Sequence, residues 1–286
     1  MPIQKNQFEK YQNINYPHRL IENREEEINK FRLTLPKNFT REDLANLLIP
    51  RIEVDGLVIV DGVDKLTIND IFGFQSVLGQ TIVQGSLNKI TNQTNHFEVK
   101  AVEDASVRGL TNQDQGMHVD GIYFHDERFP KLMTLFCSKQ SKDGGESLFF
   151  DATIAYKKLE KCYPRGVQAL LEEDLSMDLE MQGRHINRKV FTKNPDGSIE
   201  FFFSPFMKRL IGSPEAEKAY QMILGFSHNR NTQIKLKLKE GQLALCDNTR
   251  FLHGRCGFPK DQPRSLSRIW YTGISEYPIN LGIKPF

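Results

Sequence analysis

No stretch of the 286 residues is apolar for long enough to span a bilayer. The opening segment, MPIQKNQFEKYQNINYPHRL, also lacks the apolar middle of a secretory leader. Neither charge sign dominates: 38 basic and 36 acidic side chains are interleaved, and the formal net charge is only +2. Without a concentrated basic face the chain is poorly suited to nucleic acid. Cysteine is scarce, and Cys137, Cys162, Cys246 and Cys256 have no short paired spacing. That argues against a zinc site or a disulfide framework and for reduced thiols, so a cytoplasmic protein is expected. With membranes and nucleic acid set aside, a small molecule is the expected partner, and the oligomeric state is not legible. What the chain does have is 39% hydrophobic and 10% aromatic residues, enough for one substantial core. It carries no internal repeat and no low-complexity linker, so a single domain over residues 1–286 is expected.

Residues 22–34 are polar and helix-favouring, and Thr40 is placed to cap a short helix through Leu48, with Glu42 and Asp43 near its positive end. LVIVDG (57–62) is a β-branched run bounded by turn residues and reads as a buried strand. Residues 67–79 begin with a capping threonine and stop at Gly79, as a helix should. From about residue 96 the texture changes to short strand-like runs: HFEVKAV, KLMTLFCSK, SLFFD, RKVFT, IEFFFSP, TQIKLKLK, QLALCD, FLHGR and SLSRIWYTG. Asp-Gly, Gly-Gly and Asp-Asn clusters separate several of them. Helical patches interrupt the series at 151–173 and 214–226. Many short strands with turn punctuation predict an antiparallel sandwich or barrel, with the helical insertions over one end.

The informative segment is Gln115-Gly116-Met117-His118-Val119-Asp120-Gly121. Residues i and i+2 of a strand face one side, so His118 and Asp120 can address one object while Val119 points away. An imidazole and a carboxylate joined by a second imidazole make the facial triad of non-haem iron(II) oxygenases, which leaves three positions open. His253, in Asp247-Asn248-Thr249-Arg250-Phe251-Leu252-His253-Gly254-Arg255, fits as the second imidazole if its strand packs beside the first. Alone, a His-x-Asp triplet is a weak signal, and His253 could equally be a core histidine bonded to backbone.

Taken together the motifs are more specific. His118-Val119-Asp120, then Asp143-Gly144-Gly145-Glu146-Ser147-Leu148, then Cys246-Asp247-Asn248 through His253-Gly254-Arg255, and finally Arg264-Ser265-Leu266-Ser267-Arg268-Ile269-Trp270 occur in that order. Over about residues 55–275 the chain resembles the taurine dioxygenase and clavaminate synthase branch of the 2-oxoglutarate oxygenases. The resemblance implies an α+β fold with a double-stranded β-helix (jelly-roll) core, flanking N-terminal helices and helical lid insertions, the main one at roughly 151–230. It also implies Fe(II), held by His118, Asp120 and His253, with 2-oxoglutarate and O2 as cosubstrates.

The residues make physical sense in those roles. A keto acid that chelates iron at one end leaves a distant carboxylate, and the planar fork of an arginine meets a carboxylate in two charge-assisted hydrogen bonds. Arg264 is expected on a strand returning beside that of His253, with the Ser147 hydroxyl adding a further bond. Arg268, four residues on, should face the same way, and the resemblance implies that it sits near the cosubstrate or an anionic group of the substrate. The charges of iron, Asp120, 2-oxoglutarate and Arg264 sum to zero, which avoids burying net charge.

Further implications concern the reaction. Halogenases of the branch carry Gly or Ala where this chain has Asp120, so hydroxylation, desaturation or a related C–H oxidation is expected. Tyr123 occupies a position where relatives set an aromatic ring against substrate, although sandwich packing explains it equally well. The stretch Ile199–Lys208 could line the pocket, but an aromatic run on a strand is more often core. His185 is better read as a solvated loop histidine. The layout around His118 and His253 looks most like a subgroup of small-molecule biosynthesis that acts on amino acids or on isonitrile derivatives of tyrosine or tryptophan, with a taurine-type catabolic enzyme as the alternative. A zinc hydrolase or a non-catalytic small-acid sensor are competing classes; zinc chemistry gives Arg264 and Ser147 no purpose.

Overall fold

Along Leu57–Gly62 successive side chains leave on opposite sides, yet Leu57, Val58, Ile59 and Val60 are all fully buried. A strand of this kind must be covered on both faces, and that requirement sets the layering of the molecule. The computed structural model describes residues 28–62, 64–83, 97–101, 110–125, 127–180 and 183–284. In chain order its strands begin with β1 (Arg32–Leu35), β2 (Leu57–Gly62), β3 (Phe97–Lys100), β4 (Gln115–His118), β5 (Leu132–Lys139), β6 (Ser147–Asp151), β7 (Leu175–Leu179) and β8 (His185–Arg188). They continue with β9 (Phe191–Lys193), β10 (Ile199–Phe201), β11 (Met207–Ile211), β12 (Ile234–Leu236), β13 (Leu243–Asp247), β14 (Phe251–Arg255) and β15 (Ser265–Tyr271). The helices are α1 (Arg41–Asp55), α2 (Ile68–Gly73), α3 (Gln75–Leu78), α4 (Ala152–Cys162), α5 (Pro164–Glu172) and α6 (Pro214–His228).

Two sheets build the expected jelly-roll. The larger has six strands in the order β1-β2-β13-β5-β15-β3, and the smaller has four, β12-β6-β14-β4. Between them lies one core layer, with Ile59, Leu135, Cys246 and Trp270 from the larger sheet meeting Leu236, Phe149 and Phe251 from the smaller. The outer face of the larger sheet (Val60, Leu245, Ile269) packs on Leu48 and Ile52 of α1 and on Phe74 and Val77. On the other side, Phe150, Leu252 and Met117 face outward onto Leu159, Leu170 and Ile223 of α4, α5 and α6. The segment read as an insertion thus supplies a third layer behind the smaller sheet. No helix among the described residues is long and apolar enough to cross a membrane.

Several local readings need correction. Residues 22–27 lie outside the described residues, and the end of the expected helix, residues 32–34, belongs to a strand, Arg32–Leu35, paired in parallel with β2. The open edge of a buried strand offers unpaired amides and carbonyls, and a four-residue segment satisfies them better as strand than as the end of a helix. Thr40 caps helix α1 as expected, in a capping box with Asp43, but the helix runs beyond Leu48 through Pro50 to Asp55, ending at Gly56 in the left-handed region with φ 68°. Ile52 in its last turn is fully buried, and this packing outweighs the hydrogen bond lost at proline. The sheet β11-β7-β8 was not foreseen: LSMDL follows a helix without a marked turn, MKRLI is mostly exposed, and His185 was read as lying in a loop. All four cysteines are free thiols, as expected.

Candidate metal centre

Strand β4 pairs antiparallel with β14, and the register sets His118 opposite His253. Alternation sends Met117 and Leu252 outward to the helices and both histidines into the space between the sheets. Their ring centroids are 4.3 Å apart. Asp120 arrives differently from the expectation of one continuous strand. β4 stops at His118, and Asp120 lies in the following turn, just before Gly121 at φ 67°. Asn248 fixes that turn. Its amide oxygen accepts from the Asp120 backbone N–H at 2.8 Å, and its NH2 donates to the Asp120 carbonyl at 3.1 Å and the Pro130 carbonyl at 2.7 Å. The carboxylate consequently reaches both rings, with Oδ1 3.6 Å from His118 Nε2 and Oδ2 3.5 Å from His253 Nε2. One ligand atom from each residue lies within 4.8 Å of the others, and all three residues are buried.

Electrostatics prepare these groups as donors. Burial pushes the His253 imidazole down to about 3, aided by His118 and Arg268 and opposed by Asp120. The ring is therefore neutral at physiological pH. Burial alone would raise the Asp120 carboxyl, but Arg268 and the two histidines outweigh it and hold the group well below the usual carboxylate range. His118 Nδ1 donates to the Gly116 carbonyl at 2.9 Å, which leaves the Nε2 lone pair facing Asp120 and His253. His253 Nδ1 is buried without a hydrogen-bond partner.

Arg264 precedes β15, and here the expected neighbourhood is wrong. β15 lies in the larger sheet between β5 and β3, so it faces β14 across the sandwich and does not run beside it. Arg264 is 4% exposed. Its Nε donates to the Gly145 carbonyl at 2.8 Å, while Nη1 is buried without a partner. Desolvation, with the nearby Arg255, pushes the guanidinium down to about 9. Ser147, two residues after Gly145, is buried at the start of β6, in register with Arg255. Gly144 and Gly145 have φ of 62° and 70°, and a Cβ on Gly145 would stand 2.5 Å from Ser141 Oγ and 2.9 Å from Arg264 Cδ. The Gly-Gly turn is thus the bed on which Arg264 lies.

Arg268 is turned toward Asp120, with Nη1 2.8 Å from Oδ1. Trp270, to which the sequence assigned no role, donates from Nε1 to Oδ2 at 2.8 Å. Tyr123 is half-buried beside this group, its hydroxyl raised by burial and influenced by Arg268, Asp120 and Arg184. The Arg184 guanidinium lies 4.3 Å from the Tyr123 ring centroid, a placement for which the sequence offered no signal. Of the Ile199–Lys208 stretch, Phe201, Phe202 and Phe203 belong to the core, whereas Phe206 sets its ring edge-on to His118 at 5.2 Å. His185 sits on β8, not a loop, exposed and paired with Asp178 at 2.7 Å. The charge balance drawn from sequence omitted two buried cations, Arg255 and Arg268. Asp114 lies near enough to the first to act on it, and the second is paired with Asp120.

Comparison with known proteins follows the same direction. A sequence model of the family described as "Taurine catabolism dioxygenase TauD, TfdA family" matches residues 18–270. Among curated proteins, "Dioxygenase str8" of Strobilurus tenacellus is 25% identical over 168 residues, 57% of this chain; the match spans only 39% of that relative's length. A solved asparagine oxygenase in complex with Fe(II), 2S,3S-3-hydroxyasparagine and succinate superimposes with TM-score 0.65 at 15% identity, covering 81% of this chain and 78% of that one. A taurine dioxygenase from Burkholderia xenovorans does so with TM-score 0.64 at 16% identity, covering 84% and 85%. At such identities these structures attest the fold.

Proposed function

Because this chain belongs to the TauD/TfdA family of dioxygenases, we propose that it is an Fe(II)- and 2-oxoglutarate-dependent oxygenase. Its substrate is a small anionic molecule, an amino acid or amino-acid derivative, with isonitriles of tyrosine or tryptophan among the candidates. The observation that carries this reading is the pairing of a buried His-Asp-His set, ligand atoms within 4.8 Å, with a buried arginine whose Nη1 has no partner. Two imidazoles and one carboxylate suit a ferrous ion with open positions. A desolvated guanidinium with an unsatisfied N–H suits the far carboxylate of a keto diacid. The residues fit both groups, and an asparagine oxygenase solved in complex with Fe(II), 2S,3S-3-hydroxyasparagine and succinate is similar in fold.

In this reading His118, Asp120 and His253 hold the metal. Arg264, with the Ser147 hydroxyl, clamps the distal carboxylate of 2-oxoglutarate. When bound, iron and 2-oxoglutarate together supply the oxidising power, through O2-driven decarboxylation to succinate and CO2. The protein's own part is orientation and exclusion of water. Asn248 holds the Asp120 main chain, Phe206 shields the His118 ring, and Tyr123 with Arg184 forms an aromatic and cationic wall for the substrate. Arg268, paired with Asp120, lies where the family resemblance sets it near the cosubstrate or an anionic group of the substrate.

Anaerobic addition of Fe(II) and 2-oxoglutarate is expected to produce a weak visible metal-to-ligand charge-transfer band. Succinate release should then be stimulated by amino acids or their isonitriles. No band from a protein shown to bind the metal would sink the oxygenase reading, and stimulation by taurine alone would replace the substrate class. Gly145→Ala tests the Arg264 bed. The strained φ and the 2.9 Å clash should cost on the order of 1–3 kcal/mol of stability. The KM for 2-oxoglutarate should rise as Arg264 is displaced; unchanged unfolding and KM would contradict it.

A further inference from the structure

Asp120 stands beyond the end of β4, in a turn where Asn248 holds its main chain and leaves the rotation of its carboxylate to other groups. That rotation is set from across the sandwich. Arg268 and Trp270 are two apart on β15, face the same side, and grip the carboxylate at Oδ1 and Oδ2, each at 2.8 Å. The two donors differ in kind. Arg268 is long and charged, and its guanidinium lies 5.0 Å from the Trp270 ring and 5.1 Å from the Phe97 ring. Trp270 is rigid, 1% exposed and neutral, with Phe124 edge-on to it at 6.5 Å. A neutral donor can direct a carboxylate without cancelling its charge, which a cation placed alone on the same oxygen would do. A phenylalanine would fill the same space and offer no donor. Trp270 is also the only tryptophan in the chain.

Resting on the metal reading above, we propose that Trp270 is a positioning residue for the metal. Its indole N–H, on the oxygen opposite the one that Arg268 holds, fixes the Asp120 carboxylate in the orientation that completes the His118–His253 pair.

Because there is a single tryptophan, the N–H can be removed without changing the shape of the side chain. Biosynthetic replacement of tryptophan by 3-benzothienylalanine exchanges that N–H for sulfur at position 270 and nowhere else. The measurement is the Kd for Mn(II), read anaerobically by the EPR signal of the free ion, for the unmodified protein, the benzothienyl protein and Trp270→Phe. Both altered proteins should bind Mn(II) about 10- to 100-fold more weakly, the usual range for lost partners of metal ligands. Leu266→Ala removes volume from the same face of β15 and should lower thermal stability while leaving the Kd within about twofold, which separates positioning from general loosening. A benzothienyl protein that binds Mn(II) as tightly as the unmodified one overturns the proposal. If the unmodified protein itself binds no Mn(II), the metal reading falls and this inference with it.

Discussion

Asp120→Gly should abolish oxidation of the native substrate, with kcat/KM for succinate-coupled turnover falling at least ~1,000-fold. A bound metal contributes several kcal/mol of stabilisation to the reacting centre, and each 1.36 kcal/mol is a factor of ten in rate. Losing the only anionic ligand of a three-residue set should forfeit most of it. A second consequence distinguishes this variant from a simple ligand deletion. Asp120 is the partner of two buried donors, Arg268 and Trp270. Removing the carboxylate strips a buried guanidinium of its counter-charge, a change that commonly costs about 3–5 kcal/mol. Asp120→Asn keeps an oxygen for one of those donors and should be less destabilised, yet still lose turnover by about 100-fold or more. Undiminished product from either variant, verified as folded by its thermal transition, would remove Asp120 from the metal site.

Arg264→Met should separate function from stability. In the protein as it stands, Arg264 makes one strong hydrogen bond, to Gly145, and keeps a buried Nη1 without a partner, while burial and Arg255 push the guanidinium down to about 9. A charge in that state is a burden on the fold until an acid binds. Methionine restores volume without charge, and such replacements of buried ions are often neutral or stabilising. Binding should suffer instead. Charge-assisted hydrogen bonds contribute about 1.5–3 kcal/mol each, so losing the fork should raise the KM for 2-oxoglutarate on the order of 100-fold or more. The unfolding midpoint in urea should stay level or rise. A large loss of stability with unchanged KM would mean that Arg264 is a structural cation and that the carboxylate is held elsewhere.

The chain is unequal in what it lets a reader see. His118, Asp120 and His253 could be singled out because metal chemistry restricts the residue types, and strand pairing brings the two histidines together; Asp120 joins them from a turn, not by strand alternation. Arg264 was expected to meet a carboxylate from a strand beside that of His253, whereas it precedes a strand of the other sheet. Spacing of eleven residues allows a hairpin as readily as a crossing between sheets. The strand at Arg32–Leu35 was hidden for a related reason: a four-residue segment, RLTL, is too short to declare itself except through the buried neighbour it pairs with. Arg184 and Trp270 carried no signal of function at all.

From sequence alone come the inventory and the local geometry: which side chains can donate to a metal, which cation can meet a carboxylate, and which strands are buried on both faces. These follow from covalent structure and from periods of two or 3.6 residues. Only the folded chain decides that Asp120 answers to Arg268 and Trp270, 148 and 150 residues away, and to Asn248, 128 residues away. The facing of two sheets is a collective outcome of packing the whole core, and no local pattern encodes which residue of one sheet will stand opposite which residue of the other.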